Sequence, residues 1–316
     1  PTRSPSLDDD PAQFAALVEK LWPGGDEARV GKGRVIASHD VETSLGRMGV
    51  KPDFTYTGPK PDSEYLFVHR KLADGDLYFV DNRRDRAERI EARFRVTGKQ
   101  PEIWHADSGV VEPVSYRIEN GETIVPLNFD ADESFFVVFR KATKATSETV
   151  PTLRWEAVAS VGGPWRVTFP DGRGAPPSAT FDTLTSLGER KEPGIKYYSG
   201  TTDYRTSFKL PATIKAGQPL KLDLGDVGVV AQVKINGQSV GTAWHAPYQL
   251  DISRYVRPGS NTIEVSVDNL WVNRLIGDAQ PGAKKVTFTT MPTYTADAPL
   301  RPSGLIGPVR VLAGKE

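Results

Sequence analysis

The chain contains no cysteine among its 316 residues, so disulfides, thiolate metal sites and thiol nucleophiles are excluded. No run of about 18 apolar residues occurs, and we expect no membrane partner. Lys and Arg together number 40, as do Asp and Glu, which gives a formal net charge of zero. Because a chain without a net field does not gather phosphates, we expect no nucleic-acid partner.

The first 58 residues predict helices around a short strand. Asp10 followed by Pro11 is typical of a helix N-terminus, and apolar residues then recur on one helical face up to position 21. Residues 33–38 predict a strand, and residues 42–48 predict a second helix. Since so short a segment cannot bury both faces of a sheet, we interpret residues 1–58 as the α/β tail of a larger domain.

Residues 59–145 predict a small β-sandwich. Two apolar runs flank the turn at 73–76, and two more flank the Asn120-Gly121 pair, so each turn indicates a β-hairpin. Residues 146–316 add seven or eight short strands with frequent turns, of which Asn236-Gly237 is the clearest. The predicted fold is therefore mainly β: two consecutive antiparallel β-sandwiches, the C-terminal one a jelly roll, after a short α/β segment.

Three motifs follow one another in the C-terminal region: VKINGQSVG at 233–241, PYQLDI at 247–252 and PGSNTIEV at 258–265. In this order they resemble the sugar-binding, galactose-binding-like jelly-roll domain of the glycoside hydrolase family 2 type. A further motif, LWVNRLIGD at 270–278, combines with FVHR at 67–70 and DLYFV at 76–80. Together they resemble the C-terminal portion of a bacterial α-L-rhamnosidase of glycoside hydrolase family 106.

The resemblance implies a catalytic (β/α)₈ barrel, with paired glutamates and calcium, that precedes all the residues seen here. Glycosidases use two carboxyl groups about 5 to 9 Å apart, and no catalytic residue of the family can be carried over to this chain. We therefore expect an accessory region, inactive alone, of an enzyme that acts on α-L-rhamnosides. The alternatives are an independent carbohydrate-binding module and a purely structural or assembly domain.

The resemblance also implies partners and a location. The expected partners are a rhamnose-containing glycan and the catalytic domain of the same parent protein. No cofactor is assigned to this chain, its metal ligands stay unassigned, and calcium is implied only for the parent enzyme. A periplasmic or secreted location is expected from the family alone.

Candidate carbohydrate-binding residues lie in the C-terminal region, because the apolar face of a sugar ring packs on aromatic side chains while its hydroxyls bind polar groups. The candidates are Trp244, His245, Tyr248, Trp271, Asn273 and Arg274. The alternative is structural, since aromatic residues of a sandwich are often buried in its core. His69 and Arg70 are candidate interdomain residues, either facing a catalytic domain or forming a structural hydrogen-bonding pair.

Overall fold

The computed structural model describes residues 2–22, 24–215 and 217–315. Its N-terminal segment contains helix α1 (Pro11–Leu21), strands β1 (Glu27–Val30) and β2 (Gly33–Ile36), and helix α2 (Val41–Arg47). The cap predicted at Asp10 is confirmed, because its carboxylate accepts the backbone N–H of Ala12 at 2.8 Å. The predicted strand is β2, and it pairs antiparallel with β1, which the sequence pattern did not reveal.

Ten strands build the first sandwich. They are β3 (Phe54–Thr57), β4 (Tyr65–Lys71), β5 (Asp76–Asn82), β6 (Glu88–Phe94), β7 (Lys99–Trp104), β8 (Val111–Pro113), β9 (Tyr116–Glu119), β10 (Glu122–Phe129), β11 (Ser134–Ala142) and β12 (Ser147–Glu148). One sheet has the order β12-β9-β10-β6-β3 and the other β4-β5-β11-β7-β8, with all pairs antiparallel. The sandwich extends beyond the predicted limits of 59 and 145, because β3 and β12 pair with β6 and β9.

The predicted hairpins of the first sandwich are confirmed. Strand β4 pairs with β5 up to Lys71 opposite Asp76. Asn120 and Gly121, between β9 and β10, both have positive φ angles of 53° and 83°. Two successive positive φ angles are what a tight two-residue hairpin turn requires, which explains the Asn-Gly pair. The division of the chain into three domains stays a prediction.

The second sandwich contains fifteen elements. They are β13 (Arg154–Ser160), β14 (Trp165–Thr168), β15 (Ser178–Phe181), a 3₁₀ turn (Leu187–Glu189), α3 (Pro193–Lys196), β16 (Thr201–Leu210), β17 (Leu220–Asp223), β18 (Asp226–Val227), β19 (Val230–Ile235), β20 (Gln238–Ala243), β21 (Gln249–Asp251), β22 (Gly259–Asp268), α4 (Val272–Asp278) and, at the end, β23 (Leu305–Gly307) with β24 (Arg310–Lys315). Its sheets have the orders β13-β24-β17-β21 and β15-β14-β16-β22-β19-β20, and β18 pairs with β23.

Each sandwich has its own apolar core. Strand β22 alternates buried and partly exposed residues from Asn261 to Asp268, so one face of the six-stranded sheet points inward. Trp165 and Tyr204 are buried on that face, with exposures of 1% and 0%. The mainly β fold with two antiparallel sandwiches is confirmed. Among the described residues, no helix is long and apolar enough to cross a membrane.

We expect Trp165→Ala to lower the free energy of unfolding of the second sandwich by about 3–5 kcal/mol, since the missing indole leaves a cavity in the core. Urea denaturation followed by circular dichroism measures this change. Trp244→Ala is the matched control, because Trp244 is 58% exposed, and its effect should stay within about 0.5 kcal/mol. Equal losses in the two variants would contradict the assignment of Trp165 to the core.

Candidate functional site

Both predicted sugar-binding tryptophans are exposed at one end of the second sandwich. Trp244 is 58% exposed and Trp271 is 65% exposed. Ala243, at the end of β20, pairs with Ala231 of β19, which pairs with Val267 of β22. The chain therefore leaves β20 and β22 at the same end of the sheet, two strand spacings apart, which is about 10 Å. Both indoles are thus presented on one rim.

His245 and Tyr248 follow Trp244 on the same connection. The His245 ring lies edge-on to Trp244, with ring centroids 4.6 Å apart. Its Nδ1 lies 2.9 Å from the Ala246 carbonyl oxygen, and its Nε2 lies 3.4 Å from Asp107 Oδ2 of the first sandwich. Tyr248 is half-buried and packs against the core of the second sandwich. His245 therefore sits where the two sandwiches meet, whereas Tyr248 mainly packs.

Asn273 and Arg274 lie in the interior, with exposures of 2% and 7%. The Asn273 amide donates to the Arg301 carbonyl oxygen at 2.8 Å and accepts from the Arg301 N–H at 2.8 Å. Arg274 forms an ion pair at 3.0 Å with Asp278, which also accepts the Thr287 N–H at 2.8 Å. These side chains hold the long connection after α4 against the sandwich. Sugar contact by the six residues stays a prediction; of the six, Trp244 and Trp271 are exposed to solvent and His245 is partly exposed.

His69 is held entirely within the first sandwich. Its Nδ1 lies 3.2 Å from Asp53 Oδ2 and its Nε2 lies 3.1 Å from Asp76 Oδ1. The ring stacks on Tyr78, with centroids 4.1 Å apart and planes within 5°. A hydrogen bond from Arg95 holds the pKa of Asp53 below its usual value. Both ring nitrogens of His69 are therefore occupied by the first sandwich itself.

Arg70 differs from its neighbour, because it is exposed on the edge strand β4. Leu66 and Val68 of the same strand are 54% and 53% exposed. An edge strand that carries exposed apolar residues is a surface suited to contact with another part of a protein. The interdomain role of His69 and Arg70 stays a prediction, and on this geometry Arg70 would make the contact while His69 fixes the strand.

A cleft between the two sandwiches was not predicted from the sequence. It has a volume of about 860 Å³ and is lined by residues of both sandwiches and of the connection at 150–153. Three ionisable groups converge in it: His105 Nε2 lies 3.6 Å from Glu112 Oε2, and His105 Nδ1 lies 4.0 Å from Glu133 Oε1. On the opposite side, Lys221 Nζ lies 4.6 Å from the centroid of the Trp155 ring.

The charges of the cleft are shaped by their neighbours. The Glu112 carboxylate, which accepts from the His105 ring, raises the pKa of His105, and the same contact lowers the pKa of Glu112. Burial raises the pKa of Glu133, although its carboxylate accepts the Asp130 N–H at 2.7 Å. The two glutamates thus have opposite pKa shifts, which follow from a cationic neighbour in one case and from loss of water in the other.

Sequence patterns gave no signal for this cleft. His105 follows β7 and Glu112 lies on β8. Glu133 precedes β11, and Lys221 lies on β17, more than 80 residues further along the chain. None of these residues has the short spacing of a known motif. Within residues 2–22, 24–215 and 217–315, no group of three or more His, Cys, Asp or Glu side chains could hold a metal ion.

Comparisons with known proteins agree with the fold of this chain. A solved structure of a rhamnosidase from Novosphingobium sp. PP1Y superimposes with a TM-score of 0.88 and 54% identity, over 95% of this chain and 28% of that one. Residues 1–118 match the Glyco_hydro_106 family model, described as alpha-L-rhamnosidase. Residues 187–297 match the model of the glycosyl hydrolase 2 galactose-binding domain-like family. The resemblance to family 106 rhamnosidases is confirmed.

A putative beta-glucuronidase from Formosa agariphila is a second relative. It is 33% identical over 219 residues, which are 61% of this chain and 18% of that protein. The chain therefore spans less than a third of the length of either relative. The rhamnosidase-like chain and its galactose-binding-like sandwich form a region associated with a glycoside hydrolase.

The His105–Glu112 pair should make stability depend on pH. Since the pKa of folded His105 lies above its unfolded value of about 6.5, the pair stabilises fully below about pH 6.5 and loses its effect as pH rises through the folded-state pKa. The loss of urea midpoint caused by His105→Gln should therefore be larger at about pH 6 than at about pH 9.

His39→Gln serves as the control for this comparison, because His39 is exposed in the N-terminal segment. Its urea midpoint should differ little from that of the parent chain at either pH. A His105→Gln effect of equal size at both values would show that the imidazole acts only through packing.

Proposed function

We propose that this chain is a non-catalytic accessory region of a glycoside hydrolase that acts on α-L-rhamnosides, and that it supports the catalytic barrel of that enzyme. The 54% identity to a rhamnosidase over 95% of this chain supports the proposal. So does the match of residues 1–118 to the rhamnosidase family model. The proposed partners are the catalytic domain of the same parent protein and, through it, a rhamnose-containing glycan.

The observation that carries this proposal is that the apolar side chains of the N-terminal segment are exposed. Neither α1 nor α2 contains a buried residue. Leu17 and Trp22 are 50% and 42% exposed, and Leu45 and Met48 are 40% and 53% exposed. Helices of 11 and 7 residues gain most of their stability from packing an apolar face, so this segment is suited to lie against another surface. A neighbouring catalytic domain would supply it.

The location and the metal remain part of the same proposal. A periplasmic or secreted enzyme, with calcium held in its catalytic part, follows from the family resemblance alone. The described residues of this chain offer no three-ligand cluster of His, Asp and Glu for such an ion. Calcium is proposed for the parent enzyme from the resemblance, and metal ligands in this chain stay unassigned.

Hydrolytic activity should require the catalytic barrel, so this chain alone should be inactive. The purified 316-residue chain should not hydrolyse an aryl α-L-rhamnoside, because the family resemblance implies that the catalytic carboxylate pair lies in the barrel. A chimera in which this chain replaces the matching 28% of the Novosphingobium rhamnosidase should hydrolyse it. Release of the aryl group, followed by absorbance, measures both.

The chimera also tests the docking face. Leu17→Asp with Leu45→Asp places two charges on the apolar helix faces and should reduce hydrolysis by about tenfold or more, because burying an unpaired carboxylate is costly. Leu270→Asp is the matched control, since Leu270 is 51% exposed and lies in the second sandwich, outside the N-terminal segment. Hydrolysis by the chain alone would overturn the proposal, and so would a chimera indifferent to the helix substitutions.

A second candidate function is an independent carbohydrate-binding module. It is favoured by the two indoles, Trp244 and Trp271, that are exposed on one rim of the galactose-binding-like sandwich. Solvent-exposed indoles are costly to leave bare and offer flat apolar faces to a sugar ring.

Titration calorimetry with rhamnose-containing oligosaccharides tests this second function. Trp244→Ala or Trp271→Ala should weaken binding by about tenfold, which corresponds to about 1.4 kcal/mol for the loss of one stacking contact. Trp22→Ala, an exposed tryptophan of the N-terminal segment, should leave binding unchanged. Absence of heat at millimolar ligand with the unmodified chain would exclude the module function for these glycans.

A further inference from the structure

The cleft between the sandwiches has the size and lining of a small-molecule site. Its volume of about 860 Å³ falls in the range of about 300 to 1,000 Å³ that ligand pockets occupy. Ile103 and Phe135 provide apolar surface on the side of the first sandwich, and Trp155 provides it on the side of the second. The cleft thus combines apolar walls with a few convergent polar groups.

Those polar groups keep hydrogen-bonding capacity. Among the described residues, Glu112 has no partner nearer than His105 at 3.6 Å. Lys221 Nζ lies 4.6 Å from the centroid of the Trp155 ring, and within residues 2–22, 24–215 and 217–315 it has no carboxylate within ion-pair distance. Glu133 uses one carboxylate oxygen for the Asp130 N–H, while its other oxygen lies 4.0 Å from His105. Donors and acceptors on both sides of the cleft are therefore available to a ligand.

Glu88, which lines the same cleft, shows the contrast. Its carboxylate accepts from the Tyr65 hydroxyl at 3.0 Å and from Arg86 Nε at 2.7 Å. The side chain is 1% exposed. The Glu88 carboxylate thus makes its hydrogen bonds within the first sandwich, whereas Glu112, Glu133 and Lys221 keep hydrogen-bonding capacity for a ligand.

We propose that this cleft binds a neutral sugar residue, with Glu112, Glu133 and Lys221 bonding its hydroxyls and the Trp155 side packing on its apolar face. A sugar offers many hydroxyls that both donate and accept, which suits a site where carboxylates face an ammonium group. The site is distinct from the rim of Trp244 and Trp271, and it does not depend on the rhamnosidase proposal.

The charges of the cleft argue for neutrality of the ligand. The lining mixes two cations, Lys221 and Arg89, with the carboxylates of Glu112, Glu133 and Asp130. The cleft therefore has no field of one sign that would favour a phosphate or a uronic acid, and either anion would lie close to carboxylates. A purely apolar ligand would leave those carboxylates and Lys221 desolvated without partners, which is costly. A neutral polyhydroxylated ring avoids both costs.

Chemical-shift mapping by NMR on the full chain tests the proposal. The probes are L-rhamnose, D-galactose, D-glucose and a rhamnose-containing disaccharide, at millimolar concentrations, with D-glucuronate as the charged comparison. At least one neutral sugar should shift the Trp155 indole and the backbone signals around Glu112. Lys221→Met or Glu112→Gln should weaken that response about tenfold, because each removes a hydrogen bond to a charged group.

Lys234→Met is the matched control, since Lys234 is exposed on β19 of the same sandwich, outside the cleft. It should leave the response unchanged. The proposal is overturned if no neutral sugar shifts the cleft signals, if the shifts occur only around Trp244 and Trp271, or if glucuronate alone binds. A negative result in this binding test does not change the outcome expected for the chimera, so the two proposals can fail separately.

Discussion

The rest of this molecule depends on one constraint: the apolar inner face of each antiparallel sheet must be buried against the sheet that it packs on. Strands β16 and β22 pair over ten residues at the centre of the second sandwich, and their inward side chains pack with Trp165. The ends of that sheet must then be closed. Asn269 does this, since its buried amide donates to the Gly200 carbonyl oxygen and accepts the Gly304 N–H. The closure leaves Trp271 outside on the rim.

The two sandwiches satisfy this constraint separately, and this has functional consequences. Each core is complete, so the surfaces between them are not fused, and a polar cleft with His105 and Lys221 remains. The N-terminal helices are the opposite case, because in the described part of the chain neither helix has a buried residue. Both sandwiches therefore cover their own apolar surfaces, whereas the N-terminal helices leave theirs exposed.

Local chemistry explains which features could be predicted. The Asn120-Gly121 and Asn236-Gly237 turns depend on backbone conformations that few residues adopt, and both pairs have positive φ angles. The Asp10 cap is equally local. Asn273 and Arg274 were predicted to bind sugar because of their type and their place in a motif, yet they lie buried against Arg301 and Asp278. Their exposure depends on a connection of some 30 residues that no local pattern describes.

The sequence by itself determined the β architecture, the turns and the resemblance to family 106 rhamnosidases, since these depend on alternation, turn residues and motif order. Only the tertiary structure decided that His69 is clamped by Asp53 and Asp76, and that His105, Glu112, Glu133 and Lys221 share one cleft. The physical reason is the distance along the chain over which each interaction acts. Patterning along the chain fixes which face of a strand is buried, whereas a site assembled from distant strands depends on how whole sheets pack.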